Sequence, residues 1–159
     1  MNLIKWLDKN LEKAILSIFL LLMIVVMGAQ VVARYVFNSS LSWSEELTRY
    51  LFIWSAFLSL PYTIRYGIAL KIDQHLNIFS KGVSRAINII GHILMLFFFL
   101  FMFFQSADVV GISFNSGQKS PALGLPMYVV QMSSFIGFGL AIVRVVQSLF
   151  MYIREINKI

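Results

Sequence analysis

The chain has no cysteine and very few charged residues. Cysteine is absent from its 159 residues. The chain can therefore form no disulfide, thiolate metal site or redox dithiol, which excludes enzymes such as the disulfide-forming quinone oxidases. Charged residues make up 13% and hydrophobic residues 59% of the chain, whereas a soluble domain carries roughly 25% charged residues. This balance indicates a protein that folds in lipid.

Sequence motifs for catalysis or metal binding are also missing. The 13 Lys and Arg are scattered between apolar runs, so nucleic acid binding is not expected despite a net charge of +6. We find no phosphate loop, nucleophile elbow or metal-ligand pattern. The two histidines, His75 and His92, lie on opposite sides of a predicted membrane boundary, which argues against a metal or haem site. We expect neither an enzyme nor a cofactor in this chain.

Four runs are long and apolar enough to cross a bilayer, whose ~30 Å hydrocarbon core takes about 20 residues of helix. We place these transmembrane segments at residues 14–34, 47–66, 85–107 and 126–150. Three amphipathic pieces accompany them: an interfacial helix at 2–13, a lead-in from Trp43 and a lead-in from Asp73. The sequence predicts an all-α integral membrane protein with one domain over residues 1–159.

The distribution of positive charge predicts the orientation. Lys and Arg are retained on the cytoplasmic side of membrane proteins. Arg34, Arg49 and Lys119 flank the segments on one side. The other ten flank the opposite side: Lys5, Lys9, Lys13, Arg65, Lys71, Lys81, Arg85, Arg144, Arg154 and Lys158. Both termini are therefore expected in the cytoplasm.

The start of the second segment combines charges with aromatic residues. Ser42 and Glu45 have the spacing of a helix capping box. Glu45 and Glu46 precede Arg49 by four and three residues, a spacing that allows ion pairs on one helix face. Further members of the group are Trp43, Trp54 and Arg34, the last at the end of the first segment. The pattern fits either a local anchor in an aromatic belt or a contact with another protein.

Small residues recur at four-residue spacing in two segments. They are Ser55 and Ser59 in the second segment, and Ser133, Gly137 and Ala141 in the fourth. Such stripes allow two helix backbones to approach closely. The third segment instead carries six phenylalanines between residues 97 and 104, which face either lipid or a partner.

Two polar residues lie inside predicted segments. His92 is expected to form a hydrogen bond between helices, since a proton relay requires a succession of titratable groups. Arg144 is expected to extend towards the cytoplasmic headgroups.

The motif Arg34-Tyr35-Val36-Phe37-Asn38, followed by Ser42-Trp43-Ser44-Glu45-Glu46-Leu47-Thr48-Arg49-Tyr50, resembles the small membrane subunit of tripartite ATP-independent periplasmic (TRAP) transporters, the Q or DctQ-like subunit. The resemblance continues at Ile72-Asp73 and at Pro121-Ala122-Leu123-Gly124-Leu125-Pro126. It departs at Ala69, where the family often has His, and near Ser133, where it often has Pro. It spans nearly the whole chain.

This resemblance implies a scaffold role in a sodium-coupled importer of organic anions, with sialic acid or dicarboxylates as candidates. The small subunit would support a large elevator-type membrane subunit that holds the substrate and Na⁺ sites, and would help to dock a periplasmic substrate-binding protein. The residues expected at the interface are Arg34, Trp43, Glu45, Glu46, Arg49 and Trp54. The alternative is a self-contained exporter or channel that works as a homo-oligomer, although residues 14–33 lack the carboxylate that small proton-coupled exporters usually carry.

Overall fold

A computed structural model describes residues 3–66 and 81–156, with side chains for 10–66 and 82–154, and these residues form four helices. The helices are α1 (Leu3–Val36), α2 (Ser42–Arg65), α3 (Lys81–Ser116) and α4 (Met127–Ile156). The described ranges contain no strand, only an isolated bridge between Lys119 and Pro126. The prediction of an all-α protein is confirmed.

Three of the four helices contain a stretch that is long and apolar enough to cross a membrane: Asn10–Val36 in α1, Gly82–Ser116 in α3 and Met127–Arg154 in α4. Helix α2 has 24 residues, about 36 Å at ~1.5 Å per residue, so its length also suffices. Its composition is more polar, because Glu45, Glu46 and Arg49 lie in its first third.

The helix bounds differ from the predicted segments. Residues 2–13 were expected to form a separate interfacial helix, but from Leu3 onwards they are continuous with the first segment in α1. Between Leu3 and Val36 there is no proline and Gly28 is the one glycine, so nothing breaks the helix. Helix α3 also continues past residue 107 to Ser116. The lead-in from Asp73, and His75 with it, lies outside the described residues.

The helices form a row in the order α1, α2, α4, α3. Close backbone contacts join α1 to α2, α2 to α4 and α4 to α3, and none joins other pairs within the ranges that the structure describes. Helix α4 therefore occupies the centre although it comes last in the chain. The α1–α2 and α3–α4 connections lie on one side of the row, which we call the connection side. Residues 3 and 156 lie on the other, the termini side.

A stripe of small and β-branched residues on α4 makes the central contacts. The stripe is buried at three- and four-residue spacing and consists of Val130, Ser133, Gly137, Ala141 and Val145. Gly137 faces α2 so closely that an added Cβ would lie 2.8 Å from both the Cβ and the carbonyl oxygen of Phe57. Such close backbone approach is how helices pack in lipid, where apolar burial alone gives little drive.

The small residues of α2 are placed differently. Ser55 and Ser59 are half-buried, and their hydroxyls donate within their own helix, to the carbonyls of Phe52 at 2.8 Å and Ala56 at 2.6 Å. The contact with Gly137 is made by Phe57 instead.

Aromatic rings join α4 to α3. Phe103 stacks on Phe135 with ring centroids 4.4 Å apart, and Phe99 is buried in the core with Ala141 and Val145. Phe97 and Phe104 are exposed, at 73% and 66%. The phenylalanines of α3 thus divide between the core and an outward surface.

The contact at Gly137 gives a stability prediction. Gly137→Ala should lower the thermal unfolding midpoint of the detergent-purified protein, since the methyl group meets α2 backbone atoms that cannot move aside. Overpacking of this kind costs about 1–3 kcal/mol. The matched control is Gly111→Ala in α3, where an added Cβ meets nothing within 4 Å and better helix propensity should leave stability equal or higher. Equal unfolding midpoints for the two variants would contradict the prediction.

Candidate interface at the start of helix α2

Helix α2 begins without the expected capping box. The cap residue is Leu41, whose side chain makes no capping hydrogen bond, and the Ser44 hydroxyl donates back to its carbonyl at 2.6 Å. The expectation that Ser42 and Glu45 form a capping box is wrong, because the Glu45 carboxylate is bound to α1. The N-terminal turn of α2 is instead fixed by neighbouring elements.

Glu45 joins α2 to the end of α1. Its Oε1 accepts a hydrogen bond of 2.7 Å from the Gln30 amide and one of 3.3 Å from the Arg34 guanidinium. Gln30 is buried, whereas Arg34 and Glu45 are about half exposed. Screening by water weakens such an exposed ion pair, so the buried amide makes the more persistent contact.

Glu46 joins α2 to the connection between α3 and α4. It is buried, with 7% of its surface exposed. Its Oε2 accepts hydrogen bonds from the backbone N–H groups of Ala122 and Leu123, both at 2.8 Å, and its Oε1 accepts one from the Tyr50 hydroxyl. The expectation that Glu45 and Glu46 pair with Arg49 is therefore wrong, since both carboxylates bind partners far away in sequence.

The hydrogen bonds keep the Glu46 carboxylate charged. Burial raises its pKa by desolvating the charged form, but the donors outweigh this effect. These are the Tyr50 hydroxyl, the Leu123 and Ala122 amides, and the Ser120 hydroxyl. The pKa of Glu46 is accordingly below its ordinary value.

The connection that Glu46 binds is a compact turn. Gly117 and Gly124 have φ angles of +62° and +66°, which favour glycine. Within the turn, the Ser120 N–H donates to the Leu125 carbonyl at 2.8 Å, and the Ser120 hydroxyl accepts from the Leu125 N–H at 3.1 Å. Lys119 is left exposed on this fixed turn.

Arg49 differs from the other charged residues of this group, because it has no partner among the described side chains. It is exposed and forms no hydrogen bond or ion pair with any of the side chains described, those of residues 10–66 and 82–154. Phe52, one turn further along α2, is 63% exposed, and Trp43 is 41% exposed. The start of α2 thus presents a cation and two aromatic side chains outwards.

Trp54 belongs to a different surface. It is half-buried and lines an apolar cleft of about 290 Å³ between α1, α2 and α4. The other lining residues are Phe19, Leu47, Tyr50, Leu51, Leu125, Val129 and Val130. Arg34 therefore lies with Glu45, and Glu46 lies with the turn between α3 and α4. Arg49 and Trp54 belong to neither group.

An ion pair on the termini side was missed by the sequence analysis. Arg144 lies 2.7 Å from Glu12 of α1, and both side chains are mostly buried, at 11% and 6% exposure. Its Nη1 also donates to Gln147 at 2.7 Å. The expectation that Arg144 extends to the headgroups is wrong, because Glu12 holds it inside. The sequence feature that could have predicted this pair was a carboxylate, Glu12, beside the first apolar run and an arginine, Arg144, within the last one.

His92 makes the expected bond between helices. Its Nδ1 donates to the Asn88 carbonyl at 2.8 Å, and its Nε2 lies at hydrogen-bond distance, 3.1 Å, from the Ser148 hydroxyl of α4. The ring also stacks on Tyr152, with centroids 5.9 Å apart. The prediction of a hydrogen bond between helices is confirmed.

The comparisons with known proteins agree on one family. Residues 23–155 match the model of the DctQ component of tripartite ATP-independent periplasmic transporters. The isethionate TRAP transporter permease protein DctMQ of Oleidesulfovibrio alaskensis is 31% identical over 157 residues, which cover 93% of this chain and 24% of that protein. The chain thus spans about a quarter of that relative.

Two shorter relatives also match. The ectoine TRAP transporter small permease protein TeaB of Halomonas elongata is 26% identical over 149 residues, covering 94% of this chain and 76% of that protein. The C4-dicarboxylate TRAP transporter small permease protein DctQ of Rhodobacter capsulatus is 28% identical over 131 residues, covering 80% and 58%.

The contacts of Glu46 predict that its removal exposes two backbone amides to faster hydrogen exchange. Glu46→Ala should speed hydrogen exchange at the Ala122 and Leu123 amides roughly tenfold or more, because their charged acceptor is gone. Glu45→Ala is the matched control, since it removes the neighbouring carboxylate and leaves the turn intact. Exchange that is equally fast in both variants would contradict the assigned role.

The lowered pKa of Glu46 determines how the stability that its contacts contribute depends on pH. A carboxylate with a depressed pKa stabilises the folded state above its ordinary value of 4.5, and the effect is lost as pH falls through the folded value. The thermal unfolding midpoint of the wild type should therefore exceed that of Glu46→Gln by a constant amount from pH 7 to pH 4.5 and by less below it. A difference that grows on acidification would contradict this sign.

Proposed function

Because the chain belongs to the DctQ component family of tripartite ATP-independent periplasmic transporters, we propose that it serves as the scaffold subunit of a secondary transporter. It would lie beside a much larger membrane subunit and enlarge the fixed part of an elevator-type carrier. The large subunit would hold the substrate and the coupling Na⁺.

The row of helices is the observation that carries this proposal. Within the ranges that the structure describes, α3 has no close backbone contact with α1 or α2, so the four helices do not close around a common interior in which a solute could be held. The described residues also hold no group of three or more His, Asp or Glu that could bind an ion. A solute path must then come from another subunit, which favours the scaffold role over a self-contained exporter.

The relatives support a large membrane partner. The isethionate permease protein carries both the M and Q letters in its name and is about four times as long as the part that this chain matches. We propose that the partner of this chain corresponds to the M part of that relative. A periplasmic substrate-binding protein would deliver the solute to the assembled pair.

We propose organic anions as the transported class, with carboxylates including sialic acid as candidates. Three relatives of similar likeness are named for three different solutes: isethionate, ectoine and C4-dicarboxylates. This spread of solutes among relatives is in keeping with selection of the solute by the partner proteins.

The proposed position is the bacterial inner membrane, with both termini in the cytoplasm and the connection side facing the periplasm. The excess of Lys and Arg on the termini side supports this orientation. It requires α2 to cross the membrane as a fourth span, which its length of about 36 Å allows. Its polar start, with Glu45 and Glu46, would then lie at the periplasmic interface.

The start of α2 is the surface that we assign to the partner. Arg49 is an exposed cation without a partner among the described side chains, and Phe52, one turn further along α2, is exposed as well. A carboxylate of the large subunit would pair with this guanidinium in the assembled transporter. Arg34, Glu45, Glu46 and Trp54 would act by fixing the position of α2.

The absence of cysteine permits a direct test of the topology with single-cysteine variants. Ser39→Cys and Lys119→Cys on the connection side should react with an impermeant maleimide in intact cells. Tyr66→Cys and Arg154→Cys should react only after the cells are opened, because these exposed positions lie on the termini side. Labelling of Tyr66→Cys in intact cells, as efficient as that of Ser39→Cys, would show that α2 does not cross.

Charge reversal at Arg49 tests the interface. Arg49→Glu should reduce both transport and the amount of large subunit that co-purifies with a tagged chain, by at least about tenfold if a desolvated pair is broken. Arg49→Lys should retain most of both, since the charge is kept. Lys119→Glu is the matched reversal on the same side, at an exposed turn, and should have little effect on co-purification.

Two results would contradict the proposal at different levels. Normal assembly and transport in Arg49→Glu would remove Arg49 from the interface but leave the scaffold role standing. Solute flux through vesicles that contain this chain alone would instead favour the self-contained exporter.

A further inference from the structure

A cleft on the connection side lies between the end of α1 and the start of α2. It has a volume of about 280 Å³ and is lined by Met27, Gln30, Val31, Arg34, Tyr35 and Glu45. One carboxylate and one guanidinium therefore share a small space with an amide, a phenol and two apolar side chains. The cleft presents both signs of charge in equal number.

The two charged side chains keep hydrogen-bonding capacity that no described residue uses. Glu45 accepts from Gln30 at 2.7 Å and from Arg34 at 3.3 Å, and both bonds end on the same oxygen, Oε1. Its Oε2 accepts none from the described side chains. Arg34 donates to them from Nη2 alone, although a guanidinium has five N–H donors. Both side chains are about half exposed, so a ligand can reach them.

Gln30 provides an independent observation at the same place. Its side chain is buried, with 6% exposed, and its Nε2 is bound to Glu45. Its Oε1 is also buried and accepts no hydrogen bond from any described residue. A buried carbonyl oxygen without a donor is costly, which favours a ligand that brings an N–H group to this cleft.

We propose that the cleft binds the headgroup of phosphatidylethanolamine, in which a short ethylene chain links a phosphate to a primary ammonium. Arg34 would donate to the phosphate oxygens, for which a planar guanidinium is well suited. The ammonium has three N–H donors and would bind Oε2 of Glu45 and Oε1 of Gln30. Each half of this zwitterion thereby meets the opposite charge.

The apolar residues of the cleft favour a lipid over a soluble zwitterion. Met27 and Val31 are 44% and 53% exposed and belong to the apolar stretch Asn10–Val36, so they face hydrocarbon beside the charged pair. The acyl chains would run along these two side chains. Arg34 lies near the end of that stretch, at the depth of the headgroups. The choice of leaflet rests on the proposed orientation, whereas the binding itself does not.

Other common phospholipids lack one of the required groups. Phosphatidylcholine carries a quaternary ammonium without any N–H, so it cannot donate to Glu45 or Gln30. Phosphatidylglycerol has no cation, and its net negative charge is repelled by Glu45 as well as attracted by Arg34. The cleft therefore predicts selection by N–H donors and not by net charge.

Native mass spectrometry of the detergent-purified chain tests the site with lipids that share the same acyl chains. Retention should fall from phosphatidylethanolamine through its N-methyl and N,N-dimethyl derivatives to phosphatidylcholine, because the N–H donors are removed one by one. The first lipid should be retained at least about tenfold better than the last, as expected for one hydrogen bond to a charged group. Equal retention of all these lipids would overturn the proposal.

Neutralisation of Glu45 should change the preference, which a mere loss of fold would not do. Glu45→Gln keeps an oxygen for Gln30 and Arg34 but leaves the charge of Arg34 unbalanced. The variant should therefore retain phosphatidylglycerol better than phosphatidylethanolamine, the reverse of the wild type. Asp108→Asn is the matched control, since it removes the same charge from an exposed position of α3 outside the cleft. The same reversal in both variants, or in neither, would overturn the site.

Free O-phosphoethanolamine distinguishes the lipid from a soluble zwitterion with the same headgroup chemistry. At millimolar concentration it should leave bound phosphatidylethanolamine in place, because it has no chains to contact Met27 and Val31. Displacement of the lipid would identify a soluble-zwitterion site and would overturn the lipid assignment. The scaffold role is tested separately, since the large subunit is absent from these experiments.

Discussion

Three carboxylates hold this row of helices together. In lipid, helices gain little from hiding apolar surface, so polar contacts and close backbone packing decide their arrangement. Glu12 binds Arg144 at the termini side, Glu45 binds Gln30 near the other end of α1, and Glu46 binds the turn between α3 and α4. Removal of one partner from such a buried contact leaves an uncompensated polar group, so each contact constrains the helices on both sides of it.

The central position of α4 complements these contacts. Its buried stripe brings the α2 backbone against Gly137, while its opposite side stacks on the aromatic rings of α3. Helix α1 has close backbone contact with α2 alone among the described helices. Glu12 and Glu45 add side-chain contacts that join α1 to α4 and to α2.

Sequence patterns predicted the elements of this structure better than its contacts. Long apolar runs and helix periodicity were sufficient for an all-α membrane protein, and the motif around Glu45 and Glu46 was sufficient for the family. The same two residues were assigned the wrong partner, because i+3 and i+4 spacing makes Arg49 the obvious one. Glu46 binds amides 76 and 77 residues away, and Arg144 binds a carboxylate 132 residues away. Local spacing contains no information about contacts that the tertiary arrangement creates.

The order of helices in the row has a consequence for biogenesis. Helices α2 and α3 have no close contact with each other in the described ranges, and both pack on α4, which is synthesised after them. During insertion, α1 and α2 can associate as an antiparallel pair, but α3 must wait in the bilayer until α4 leaves the translocon. The nascent chain thus passes through a stage in which three helices have been made and only one of the contacts between the described helices, that of α1 with α2, can have formed.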